Sequence, residues 1–210
     1  ELTILEERGL ALKPDLVLLS FYLNDSRPPW GFPAEVSHRG WLRRHSLVAD
    51  KVFRVLRYRG FIERKGASRF RWPELARKLN WQRDRTAFLE LAREARFDWG
   101  AAWQDASWAS VASGLDRLAQ LGKEHGFAVA MVTWPVAYQV HATFLEDTPQ
   151  RRAAALARER GFPHLDLLPG MRKMRSQRLF FDQCHPNSAT NAWAGKEIAR
   201  FLHTGPLKQK

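Results

Sequence analysis

Hydrophobic positions along the chain follow two patterns, one typical of buried strands and one typical of amphipathic helices. Residues 16–22 and 127–134 are nearly continuous apolar runs between turn-forming residues, as in parallel strands that are buried on both faces. Residues 164–168 form a shorter run of this kind. Helical spacing of apolar residues covers four further segments: 1–12, 99–126, 149–160 and 188–202. The alternation predicts an α/β fold, a parallel sheet with helices on both faces.

Three strands make a thin sheet, because sheets commonly contain about five or six. The sequence also opens at Glu1 within a helical pattern. We therefore expect the fold to be incomplete at its N-terminus, with strands of the sheet supplied by a segment that precedes these residues.

A basic segment separates the first predicted strand from the rest of the fold. The chain carries 34 Lys and Arg against 22 Asp and Glu, and residues 39–97 hold 17 of the basic residues and only 6 of the acidic ones. Aromatic residues are interleaved with these charges, and short helical patterns occur around 47–58 and 73–79. We interpret 1–210 as one domain with a basic, aromatic-rich helical insertion at 30–98.

Three roles for the insertion remain open. It can be a lid whose charges face solvent while its aromatic residues pack inward. Residues 39–97 can instead bind an anionic membrane surface or a polysaccharide. Nucleic acid is the least favoured partner, because the segment matches no nucleic-acid-binding motif.

The sharpest local motif is Asp182-Gln183-Cys184-His185-Pro186-Asn187, between the last strand and the last helix. An aspartate three residues before a histidine on a tight turn can accept a hydrogen bond from the imidazole Nδ1. That bond leaves Nε2 free as a general base. The alternative is an exposed turn that only caps the next helix.

A second polar motif, Asn24-Asp25, follows the first predicted strand. The Asn24 amide can donate a hydrogen bond to an oxyanion that develops during acyl transfer. Asparagine and aspartate are also common in turns that end strands. Both motifs follow strands at the edge where parallel sheets place their sites, which favours a shared active site.

Together these blocks resemble the SGNH (GDSL-like) hydrolase superfamily, in which a G-x-N-D block follows a buried strand and a D-x-x-H block precedes the last helix. Tyr22-Leu23-Asn24-Asp25 has tyrosine where the family has glycine. The resemblance covers most of residues 1–29 and 99–203 and implies a flavodoxin-like three-layer α/β/α sandwich. It assigns His185 as the base, Asp182 as the residue that orients it and Asn24 as an oxyanion-hole donor.

The sequence departs from the family at the nucleophile. It contains no Gly-Asp-Ser block, Ser20 lies inside a predicted strand, and Ser26 follows a different motif. We therefore expect the nucleophile-bearing segment to be missing, and the chain by itself to be inactive.

The resemblance implies a serine esterase or acylhydrolase that acts on an ester, such as an O-acyl group of a carbohydrate or lipid. It requires no metal or organic cofactor, and similar proteins often occur at the bacterial cell envelope. The alternatives are an O-acyltransferase on the same fold and a non-catalytic SGNH-like binding module.

Other reactive groups are weaker candidates. Cys184 is the single cysteine, and neighbouring residues usually point apart, so a Cys184–His185 dyad is not expected. The remaining histidines show no metal-ligand spacing. Asp182 and His185 would need a third ligand to hold a metal, and the sequence does not indicate one.

Overall fold

A computed structural model describes residues 2–26, 45–49, 51–53, 55–56 and 68–205. The parts of the predicted insertion at 30–44, 50, 54 and 57–67 lie outside the described residues.

A parallel three-stranded sheet forms the centre of the fold. Its strands are β1 (Leu16–Tyr22), β2 (Ala128–Trp134) and β3 (His164–Asp166), in the order β1-β2-β3. The register aligns Leu16 with Ala128, and it aligns Met131 with His164. The three predicted strands are thus confirmed, with β3 two residues shorter than predicted. Within the described residues, β1 pairs along one edge only.

Among the described residues, seven α-helices of five or more residues with continuous bounds connect and cover these strands. They are α1 (Ser68–Lys78), α2 (Arg85–Glu94), α3 (Asp105–His125), α4 (Ala137–His141), α5 (Thr148–Glu159), α6 (Leu168–Lys173) and α7 (Ser188–Thr204). The N-terminal segment is helical as predicted, although it consists of an α-helical turn (Leu2–Ile4), a π-helical turn (Leu5–Gly9) and a 3-10 turn (Leu10–Leu12). Two further 3-10 turns span Leu23–Ser26 and Trp99–Trp103.

Local signals in the sequence account for most helix ends. Gly126 and Gly161 follow α3 and α5 with φ of 76° and 70°, the left-handed conformation in which glycine is favoured. The Asn187 side chain accepts a hydrogen bond from the backbone N–H of Thr190 and so caps α7, as predicted. The sequence did not predict α4 and α6, which are only five and six residues long.

Helices cover both faces of the sheet. Val17, Leu19 and Phe21 of β1 belong to a core that also contains apolar residues of α3 and α5. Leu18 and Tyr22, which alternate with them, contact a second core that contains residues of α6 and α7. The fold is therefore a mixed α/β fold with a small parallel sheet and two apolar cores, as the continuous apolar runs predicted.

The later part of the predicted insertion is joined to the first of these cores. Trp72 of α1, together with Phe88 and Leu91 of α2, is buried there beside Trp99. Trp72 and Trp81 also make edge-on contacts with Tyr138 of α4. These aromatic side chains pack inward, as the lid interpretation requires. No helix in the described part of the chain is long and apolar enough to cross a membrane.

Candidate active site

The Asp182–His185 turn is shaped by its own aspartate. One carboxylate oxygen of Asp182, Oδ1, accepts hydrogen bonds from the backbone N–H groups of Cys184 at 2.9 Å and His185 at 2.8 Å. This closes the turn on the side chain, as aspartate commonly does in loops. The turn lies between Phe180 and Pro186, which form an antiparallel bridge.

The second carboxylate oxygen orients the histidine. Asp182 Oδ2 lies 2.7 Å from Nδ1 of His185, as the spacing predicted. The His185 side chain is 72% exposed, and within the described residues its Nε2 has no hydrogen-bond partner. Nδ1 is thus engaged while Nε2 remains open to solvent, the arrangement that a general base in a triad requires.

Asp182 is held in its charged form. Partial burial raises the pKa of this carboxyl, but hydrogen bonds from the Cys184 backbone and from the side chain and backbone of His185 outweigh it, so the pKa lies below the usual value. A carboxylate that stays ionised accepts the Nδ1–H and stabilises an imidazolium when Nε2 takes up a proton.

The turn is attached to the carboxyl-terminal edge of the sheet. The backbone N–H of Ala137, three residues after β2 ends, donates to the Gln183 carbonyl at 2.8 Å. Burial raises the pKa of Tyr22, at the end of β1, to about 12, and the nearby Cys184 and Asp25 add to this effect. The predicted placement of the motif beside the ends of the parallel strands is therefore observed.

Asn24 lies at the same edge, in the 3-10 turn that directly follows β1. The backbone N–H of Tyr22 donates to Oδ2 of Asp25 at 2.8 Å, which fixes this turn. The Asn24 amide has no hydrogen-bond partner among the described residues, and none of its contacts there joins it to Asp182 or His185. An oxyanion donor does not need such a contact, because it meets the base only through the substrate.

A groove of about 810 Å³ runs along the unpaired edge of β1. Asn24 and Asp25 line one end of it, and apolar side chains of β1, α3 and the N-terminal segment, such as Leu19, Leu118 and Leu5, line the rest. Neither Asp182 nor His185 lines this groove. Of the three candidate site residues, the groove is therefore lined by Asn24 alone.

Cys184 is closer to the histidine than expected. Its Sγ lies 3.6 Å from Nδ1 of His185, so the expectation that the two side chains point apart was wrong. Burial raises the pKa of this thiol to about 12, and the charges of Asp182 and Asp98 add to the effect. The group therefore stays a thiol near neutral pH, and the nitrogen that it faces already binds Asp182.

The same proximity provides the third metal donor that the sequence did not indicate. One oxygen, sulfur or nitrogen atom from each of Asp182, Cys184 and His185 lies within 4.8 Å of the others. Such a set can in principle bind zinc. Binding would require a thiolate and a free Nδ1, which the raised pKa of Cys184 and the Asp182 hydrogen bond both oppose.

Neither candidate hydroxyl from the first strand region is hydrogen-bonded to His185. Ser26 is fully buried and donates to the Leu23 carbonyl at 2.7 Å. Ser20 accepts a hydrogen bond from the Trp134 indole at 2.7 Å. This agrees with leaving both unassigned on the basis of sequence.

Three residues near the site carry no local signal in the sequence. Tyr22 stacks on Trp134 of β2 with ring centroids 5.1 Å apart. Phe181, next to Asp182, is 64% exposed, although phenylalanine is usually buried. The stacking depends on the pairing of β1 with β2, which no motif in either strand encodes.

The chain matches no protein-family model, and no curated protein or solved structure is significantly similar to it.

Proposed function

We propose that this chain is the part of an SGNH-type serine esterase that carries the base, its orienting acid and an oxyanion donor. The observation that carries the proposal is the 2.7 Å contact between Asp182 Oδ2 and His185 Nδ1, with Nε2 exposed. The proposal includes the complete flavodoxin-like sandwich, of which β1, β2 and β3 would form one side.

The unpaired edge of β1 supports this assignment. Six of the seven residues of β1 are apolar, the exception being Ser20. Only one edge of the strand is paired within the described residues, and an apolar groove follows the other edge. Such an edge is suited to accept a further strand. In the proposal that strand belongs to a Gly-Asp-Ser segment outside these 210 residues, which supplies the nucleophile.

The chemistry then follows the usual course of acyl transfer. The serine oxygen attacks the ester carbonyl carbon, and Nε2 of His185 takes up the serine proton. Asp182 stabilises the resulting imidazolium, while the Asn24 amide donates to the oxyanion. The imidazolium then protonates the leaving alkoxide. In the second half, water attacks the acyl-serine, His185 takes up the proton of the water, and the imidazolium returns a proton to the leaving serine oxygen.

Apolar surface near the pair favours an acyl substrate. Phe181, directly beside Asp182 in the chain, is 64% exposed. We propose an ester whose acyl part contacts Phe181 and whose alcohol part belongs to a carbohydrate or lipid.

The test compares hydrolysis of p-nitrophenyl acetate by this chain and by a form of the protein that carries a Gly-Asp-Ser segment. We expect no activity from the 210-residue chain and turnover by the longer form. His185→Ala should abolish the turnover of the longer form. Activity of the short chain that persists in His185→Ala would refute the mechanism.

The same assay separates the alternatives. A longer form that lacks Gly-Asp-Ser, or that folds but neither hydrolyses nor transfers acyl groups, would favour a binding module. Transfer of the acyl group to an added sugar in preference to water would identify an acyltransferase, because the triad chemistry is shared and only the acceptor differs.

A further inference from the structure

The segment between residues 45 and 56 exposes an apolar helical surface outside the proposed active site. Residues 47–49, 51–53 and 55–56 are helical. Val48, Val52, Val55 and Leu56 follow the i, i+4, i+7, i+8 spacing of one helix face. Their exposed fractions are 72%, 52%, 46% and 60%, and Leu47 is 91% exposed. Aliphatic side chains grouped in this way mark an interaction surface.

Charge identifies the kind of partner. Residues 39–59 contain seven Lys or Arg and one acidic residue. Lys51 is exposed and lies one helical turn from both Leu47 and Val55. An aliphatic helical face within a stretch of sequence rich in basic residues is suited to the interface of an anionic bilayer, where apolar groups enter the acyl boundary and cations meet the headgroups.

Other partners fit this surface less well. A polysaccharide or nucleic acid would use the charges but leave the aliphatic face in water. Three described aromatic residues of the basic segment are poorly placed to stack on bases or sugars, because Trp72 and Phe88 are buried in the core and Trp81 packs edge-on against Tyr138. Phe53, in the helical segment itself, is 39% exposed. A second copy of this chain would bring two strongly basic segments together, which electrostatic repulsion opposes.

We propose that the helical surface formed by Leu47, Val48, Val52, Val55 and Leu56 binds the chain peripherally to anionic lipid bilayers. This inference does not depend on the esterase proposal, because none of these residues belongs to the proposed active site. Of the roles considered for residues 39–97, we thus favour binding to an anionic lipid surface.

The test is co-sedimentation of the chain with vesicles of phosphatidylcholine alone or mixed with phosphatidylglycerol. We expect binding to the anionic vesicles that weakens as salt is added, and little binding to neutral ones. Val52→Glu/Leu56→Glu should lower the partition coefficient at least about 100-fold, because burial of each aliphatic side chain contributes roughly a factor of ten. Leu12→Glu, which alters an exposed leucine outside this segment, should bind like the unchanged chain.

Several outcomes would overturn the proposal. These are no binding to anionic vesicles at low salt, equal binding to neutral vesicles, or unchanged binding by the double variant. The surface would instead be assigned to self-association if the unchanged chain did not bind vesicles and light scattering showed it to be a dimer that the double variant converts to a monomer. The lipid and salt dependence of the unchanged chain tests the proposal even if a variant fails to fold, which circular dichroism detects.

Discussion

Asp182 uses its two oxygens for different tasks, and this division explains why a four-residue motif can both shape its turn and orient its histidine. Oδ1 closes the turn on two backbone N–H groups, while Oδ2 holds Nδ1 of His185. The turn and the imidazole orientation therefore depend on the same carboxylate. Because the contact between Asp182 and Nδ1 of His185 spans only three residues, the sequence motif was sufficient to predict it, whereas the two backbone contacts of Oδ1 were not predicted.

At the residue scale, Asn24→Ala tests the oxyanion assignment. In the serine-bearing form we expect kcat for p-nitrophenyl acetate to fall about 100- to 1000-fold, because one donor to the oxyanion is lost. The free energy of unfolding should change by less than about 0.5 kcal/mol, since the amide has no partner among the described residues. Asn80→Ala, at an exposed asparagine between α1 and α2, is the matched control. Equal kcat values for the two variants would remove Asn24 from the mechanism.

Cys184 provides a second residue-scale prediction. Its pKa of about 12 leaves only about one thiol in 10,000 ionised at pH 8. Alkylation by iodoacetamide should therefore be at least about 100-fold slower in the folded chain than in urea, with a rate that still rises between pH 8 and 10. Mass spectrometry follows the reaction. A plateau in rate near pH 7 would indicate a reactive thiolate and would reopen Cys184 as a nucleophile.

At the scale of elements, two short helices hold the Asp182–His185 turn in place. Arg172 of α6 donates to the carbonyl of Gln139, in the middle of α4, at 2.7 Å. The first N–H of α4, on Ala137, donates to Gln183 within the turn. The turn is thus connected through α4 to α6 and so to the end of β3. Neither helix is long enough to produce a helical pattern in the sequence, which explains why both were missed.

Asp166 at the end of β3 yields a prediction at this scale. Burial raises its pKa to about 6, against a partial opposing effect of the hydrogen bond from the Leu168 N–H that begins α6. A carboxyl whose folded pKa exceeds its unfolded value of 3.8 destabilises the fold increasingly as pH rises from about 4 to 6, and the cost is complete above pH 6. In Asp166→Asn, the side-chain oxygen can still accept the hydrogen bond from the Leu168 N–H, but the side chain carries no charge.

We therefore expect Asp166→Asn to raise the free energy of unfolding by about 1–3 kcal/mol at pH 7.5 and to have little effect at pH 4. Urea unfolding at the two pH values measures both. Glu90→Gln removes the same charge at an exposed position of α2 and is the control. A variant that is no more stable than the unchanged chain at pH 7.5 would contradict the burial argument.

At the scale of the whole molecule, buried polar groups join parts of the chain that no motif relates. Glu146 is 2% exposed and accepts hydrogen bonds from Arg85 of α2 and from the Trp103 indole, at 2.8 and 3.2 Å. Gln139 and Gln150 exchange a pair of amide hydrogen bonds nearby. These contacts attach α2 to the body of the fold. A buried charge needs such partners, yet the sequence does not reveal which residues supply them.

The sequence therefore predicted what depends on local pattern and missed what depends on packing. Continuous apolar runs predicted all three strands, and Gly126, Gly161 and Asn187 marked helix ends. The approach of Tyr22 to Cys184 follows from the order of the strands and the path of a loop some 160 residues later in the chain. The nucleophile, the substrate and the complete sandwich remain proposals, because they require residues or molecules beyond this chain.

The kinetics of Asp182→Asn in the serine-bearing form test the central claim most directly. If Asp182 orients His185 and stabilises its imidazolium, kcat for p-nitrophenyl acetate should fall by about 1000- to 10,000-fold, with KM nearly unchanged and the fold retained by circular dichroism. A folded Asp182→Asn variant whose kcat stays within a few-fold of the unchanged enzyme would show that the Asp182–His185 pair is not part of a catalytic triad.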